Sequence, residues 1–192
     1  ESLDLEILKE YIDWTPFFRS WELHGRFPDI LKDEVVGKQA SELFEDAQQL
    51  LQKIISEKLL QAKAVFGLFE ANTINDDDIE VKAFNKIKYF RTLRQQSKKA
   101  EGRPNIALAD FIAPKDSGLK DYIGCFCVSA GFGTQELAAK FEKEHDDYNS
   151  IMVKALADRV AEAFAEYLHK EVRTKHWGYA ATESLSNEEL IA

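Results

Sequence analysis

Cysteine is scarce: Cys125 and Cys127 are the two in a chain of 192 residues. A Cys-Phe-Cys spacing is too close for an easy disulfide and too poor in ligands for a structural zinc site. A reduced, cytoplasmic setting follows as the expectation. No apolar run approaches the roughly 20 residues needed to cross a bilayer, and no secretory pattern is present, so no membrane association is expected. Basic residues are outnumbered 25 to 34, for a net charge of −9. That balance argues against general nucleic-acid binding, which calls for a basic footprint. The four histidines, His24, His145, His169 and His176, show no metal-ligand spacing with Asp, Glu or Cys. There is no G-x-S-x-G motif, no phosphate-binding loop and no informative His–Cys pair. Gly131 and Gly133 suggest a dinucleotide fingerprint, but Glu136 stands where its third glycine belongs, and Val128–Thr134 reads instead as a strand–helix turn. The sequence offers no self-contained catalytic site, and no catalytic residue is assigned.

What is present describes a globular domain, 45% hydrophobic and 31% charged, long enough for one sizeable core. Its central stretch runs from His145 to Arg173 without Gly or Pro. Met152, Leu156, Val160, Phe164, Leu168 and Val172 recur every fourth residue, placing one apolar stripe along a helix. Asp146 and Asp147 at its start, with His169, Lys170, Arg173 and Lys175 at its end, favour the helix dipole. Asp158, Glu162 and Glu166 line a second strip at i, i+4, where like charges cost about 0.2–0.5 kcal/mol per pair. Two readings stay open: a solvated acidic face relieved by Lys154, Arg159 and Lys170, or carboxylates reserved for a cationic ligand or partner.

Upstream, Leu5 to Ile12 suits a short helix ending before Pro16. Pro16 then opens another, capped by Thr15 or Asp13, whose Trp14, Phe17, Phe18 and Trp21 suit core anchors. A helical turn is expected over Asp29 to Asp33, and a second long helix over Gly37 to Leu60. Ala62–Ala71 reads as a buried central strand, followed by strands at Ile79–Val81 and Lys86–Phe90 in an antiparallel meander. A solvated loop spans Gln95 to Asn105. Tyr122–Ser129 reads as another buried strand, its two cysteines facing a core, and Thr134 or Gln135 opens a helix to Lys143. The chain begins at Glu1 rather than Met, and Ser186-Asn187-Glu188-Glu189 has the form of a capping box with three residues after it. So short a helix is not stable alone, and the natural polypeptide is expected to continue past Ala192.

Several long motifs carry a resemblance. Asp13-Trp-Thr-Pro-Phe-Phe18, Asp33-Glu-Val-Val-Gly37, Leu93-Arg-Gln-Gln96, Ala109-Asp-Phe-Ile-Ala-Pro114 and His145-Asp-Asp-Tyr148 occur in that order. Ile151 to Arg159, Ala161 to Glu166 and Trp177-Gly-Tyr179 complete the series. Together they resemble the C-terminal activation domain of cobalamin-dependent methionine synthase along almost the whole chain. The resemblance implies an α+β fold, a C-shaped domain with a twisted antiparallel sheet and long helices. Residues 1–192 would form a single S-adenosylmethionine-binding domain lacking its C-terminal part, including an Arg-Pro-Ala-Pro-Gly-Tyr motif that grips the ligand. It further implies that Asp13 and Glu162 hold S-adenosylmethionine, whose ammonium and sulfonium favour carboxylates. Asp158, one turn before Glu162, would meet a neighbouring domain at the rim.

The parent enzyme of that family is a methyltransferase that moves a methyl group from methyltetrahydrofolate to homocysteine. Its cobalamin sits in a neighbouring domain and its zinc in the homocysteine domain. The activation domain, not catalytic by itself, supports reductive methylation of cob(II)alamin with an electron from flavodoxin or a diflavin reductase. A monomer is expected, with the cobalamin domain of the same polypeptide as partner. The alternative from a different class is a stand-alone acidic interaction module without ligand chemistry.

Overall fold

The computed structural model describes residues 2–185 and Glu189. The capping box expected at Ser186 lies outside the described residues, apart from Glu189. The chain divides into two compact units, residues 1–64 with 128–192 and residues 65–127. The architecture is α+β, with long helices and an antiparallel meander, as the resemblance implied.

In the first unit, β1 (Ser2–Leu3) pairs antiparallel with the start of β2 (Gln61–Thr73). Asp4 caps α1 (Leu5–Leu8), which tightens into a 3-10 turn over Lys9–Tyr11. Pro16 lies in the first turn of α2 (Thr15–Ser20), where its missing N–H costs nothing. α3 (Gly37–Ser56) buries Ala40, Leu43, Ala47, Leu50, Leu51 and Ile54 along one face. α4 (Thr134–Lys143) and α5 (Asp147–Glu171) pack against each other, and α1, α2 and α3 also pack on α5. The expected stripe is the heart of this core: Met152, Leu156, Val160, Phe164 and Leu168 are buried, while Val172 is half-buried in a π-turn that follows α5. Phe17 and Phe18 are fully buried, and Trp14 stacks edge-on against Phe44 at 5.0 Å, so the aromatic cluster anchors the core as expected.

The turn before α4 requires glycine. Gly133 has φ of 98°, and a Cβ there would come within 2.6 Å of the Leu59 carbonyl oxygen. α5 begins at Asp147 with Asp146 as its N-cap, so both acids stand at the helix start as the sequence suggests. His145 takes a left-handed φ of 59° after α4, while the Asp146 N–H donates back to the Phe141 carbonyl. Asp146 then caps α5 through the Asn149 N–H at 3.0 Å.

In the second unit, the end of β2 pairs with β3 (Asp78–Ala83), and β3 with β4 (Lys86–Arg91), all antiparallel. β5 (Asp121–Phe132) pairs with β2. The meander is as expected, but the burial is not. Within β2 only Ala62 and Ala71 are buried, and within β5 only Ala130. Cys125 is half-buried and Cys127 exposed, so they do not face a core. The core of this unit is small: Ala71, Ile79, Val81 and Ala109. Long apolar runs suggested two-sided burial, yet four small or medium side chains cannot cover both faces of such strands.

Candidate functional site

On α5 the acidic strip is organised by a buried cation. The Arg159 side chain is 10% exposed, between Asp158 at 71% and Glu162 at 63%. Its Nη2 donates to Asp158 Oδ2 at 2.6 Å and its Nη1 to Glu162 Oε2 at 2.7 Å. Burial alone would lower the Arg159 pKa, but these two bonds outweigh it and hold the group above its ordinary value. The relief expected from lysines is not what occurs. Lys154 bonds Glu142 at 2.9 Å and Lys170 bonds the Tyr11 hydroxyl at 3.0 Å, so both are engaged elsewhere.

Asp13 lies half-buried between the Lys9–Tyr11 turn and α2, two segments that pack on α5. Its Oδ1 accepts from the Thr15 N–H at 2.9 Å, so Asp13 supports the start of α2. The Thr15 hydroxyl instead accepts from the Phe27 N–H at 3.2 Å. Thus Asp158 and Glu162 are joined through Arg159, whereas the bond of Asp13 is to the Thr15 N–H and not to either of them. Asp13 Oδ2 and Glu162 Oε1 have no hydrogen-bond partner among the described residues, and an ionised carboxylate has acceptor sites to spare. Sequence reasoning gave Arg159 only as a neutralising neighbour. The available signal was a charge set between Leu156, Val160 and Ala163 on the buried side of the helix.

The second unit holds an open cleft of ≈ 720 Å³, lined by apolar residues such as Ile74, Ile112 and Pro114 and by the charged Arg94, Asp110 and Lys115. Its cations are already committed. Arg94 Nε donates to Asp77, Nη1 to the Asn105 carbonyl and Asp110, and Nη2 to the Asp76 carbonyl and Asp110, at 2.7–2.9 Å. All five guanidinium hydrogens are therefore used. Lys115 bonds both oxygens of Glu80, at 2.7 and 2.9 Å. Bonds from Arg94 and the Ala107 N–H hold the Asp110 carboxyl down at about 2. Two motifs of the resemblance, Leu93–Gln96 and Ala109–Pro114, thus meet in a structural clamp. His145–Tyr148 is structural too: burial and the bond to Asp46 push the Tyr148 hydroxyl up to about 12.

Among the described residues no group of three or more His, Cys, Asp or Glu could hold a metal ion. No described helix is long and apolar enough to cross a membrane.

Fold and site define a class: an α+β module whose longest helix carries two exposed carboxylates joined by a buried arginine. The family model for the vitamin B12-dependent methionine synthase activation domain matches residues 4–192, and the chain belongs to that family. A crystal structure of the MetH reactivation domain bound to AdoHcy is 54% identical in sequence, with a TM-score of 0.91. The alignment covers 100% of this chain and 59% of that one.

Proposed function

We propose that this chain is the S-adenosylmethionine-binding part of a methionine synthase reactivation module. What supports the reading is the 54% identity, over the whole chain, to a reactivation domain that binds AdoHcy. S-adenosylhomocysteine is the ligand without its methyl group, so it shares the amino-acid end and adenosine. Asp13 Oδ2 would accept from the ligand's ammonium, and Glu162 Oε1 would add a second negative oxygen facing the cationic end. Arg159 leaves the strip with a net negative charge, which favours the sulfonium form over the neutral thioether. Asp158, somewhat more exposed than Glu162, would meet the docking cobalamin domain.

The cobalamin of that neighbouring domain would supply the methyl acceptor, with an electron from flavodoxin or a diflavin reductase. This chain's task is to hold and orient the methyl donor. In the full-length enzyme, calorimetry should show binding of both S-adenosylmethionine and S-adenosylhomocysteine, and Asp13→Asn should weaken both. If neither ligand binds, the acidic interaction module is the correct reading.

A further inference from the structure

We infer that Arg159 is a positioning residue of this site, a buried guanidinium that aims the Glu162 carboxylate at the ligand and ties it to Asp158 at the rim. The inference rests on the S-adenosylmethionine-binding reading above.

Geometry is the first ground. Neighbouring residues of a helix point about 100° apart, so i, i+1 side chains do not ordinarily meet. Here Asp158 folds back to within 2.6 Å of Arg159, while Glu162, three residues on, closes from the other side at 2.7 Å. One planar fork holds two carboxylates that are otherwise mostly exposed to solvent. Without it both would sample several rotamers and repel each other across one turn.

Energetics is the second. A charge set among Leu156, Val160 and Ala163 is a poor way to stabilise a core, since well-packed apolar side chains usually do as well or better. A lysine would supply charge but not a fork able to bond two acids at fixed angles. The arrangement fits a requirement for carboxylate placement, because a ligand's affinity depends on groups held in geometry before it arrives. The shared guanidinium also links the ligand-facing acid to the rim acid.

The test is a double-mutant cycle in the full-length enzyme, with S-adenosylmethionine and S-adenosylhomocysteine titrated by calorimetry. Arg159→Met should raise Kd about tenfold, the equivalent of one charge-assisted hydrogen bond. In a Glu162→Gln background the same substitution should add almost nothing, because Arg159 acts through Glu162. A purely structural arginine would instead weaken binding equally in both backgrounds, which overturns the inference. Wild-type affinity in Arg159→Met also overturns it. Should circular dichroism show that Arg159→Met does not fold, Arg159→Lys takes its place in the cycle, with a smaller loss expected and unchanged affinity counting against the proposal. Failure of the wild-type enzyme to bind either ligand would sink the ligand reading itself, an outcome distinct from all of these.

Discussion

Around Met152, Val153 and Leu156 the chain packs apolar side chains with no solvent exposure, whereas around Arg94 it joins backbone and carboxylates through a single guanidinium. The first unit draws on a continuous apolar core fed by every helix. The second has a four-residue core and leaves Phe84, Leu93, Leu108 and Phe111 largely exposed, so polar bonds must fix its loops. Thr73 Oγ1 donates to the Ala109 carbonyl, Asn72 Nδ2 to those of Ala113 and Leu119, and Asp121 accepts from the Ala113 N–H. Apolar burial is indifferent to pH and modest salt, while ion pairs respond to both. The ligand-binding acids proposed here, Asp13 and Glu162, lie in the unit whose frame rests mainly on apolar burial.

The largest expected effect breaks that frame directly. Phe164 is 3% exposed in the centre of the α5 stripe, and Phe164→Ala should destabilise by ~3–5 kcal/mol through lost burial and a residual cavity. A denaturation midpoint close to wild type would show that the first unit is not held by this core. Next in size is Asp13→Asn, which should cost ~1.5–3 kcal/mol of S-adenosylmethionine affinity, as for a bond to a charged group. Asparagine can still accept from the Thr15 N–H, so α2 should keep its start and the melting temperature should hardly move. A large loss of stability would mean that Asp13 serves the fold rather than the ligand.

The second unit should respond to substitutions that leave the first untouched. Arg94→Met removes all five bonds, so amide exchange should accelerate across residues 92–110 with no change in α5. Asp110 gives the pH counterpart. Its folded-state pKa, about 2, lies below the ordinary 3.8, so its stabilising contribution is complete above 3.8 and fades as pH falls toward 2. Exchange in this unit should rise over that interval in the wild type and much less steeply in Asp110→Asn. Equal acid responses in the two units would end the contrast between them.

The parts legible in the sequence were those governed by local periodicity. The α5 stripe, the α3 face and the antiparallel meander follow from residue spacing and β-propensity alone. The hairpin turn at Phe84-Asn85 was not visible, since both residues adopt positive φ without the usual Asn-Gly signature. Strand burial failed at β2 and β5 because an apolar run reports that a strand can be covered, not that anything covers it. Asp13 and Glu162 entered through family motifs rather than spacing. Arg159 was hidden by a local rule: adjacent helix residues are not supposed to meet, and Asp158 does so only because the guanidinium is buried beside it.

Asp158 gives the smallest and most selective expectation. Its side chain is 71% exposed and bonded to Arg159, not to Lys154 as a simple surface pairing would have it. An exposed pair of this kind is worth ~0–1 kcal/mol, so Asp158→Asn should leave the melting temperature and both units' exchange unchanged. On the proposed function, this exposed carboxylate would meet a cation on the docking cobalamin domain. A protonated histidine fits best, being the side chain that changes charge near neutral pH. A partner contact shifts a domain equilibrium only by its differential free energy, here enough for a change of up to about fivefold. Asp158→Asn in the full-length enzyme should therefore slow reductive reactivation by up to that factor, more at pH 6 than at pH 8, with methyl transfer to homocysteine unaltered. Reactivation at the wild-type rate across pH 6 to 8 would reduce Asp158 to a counter-ion of Arg159 and confine the function of this face to Glu162.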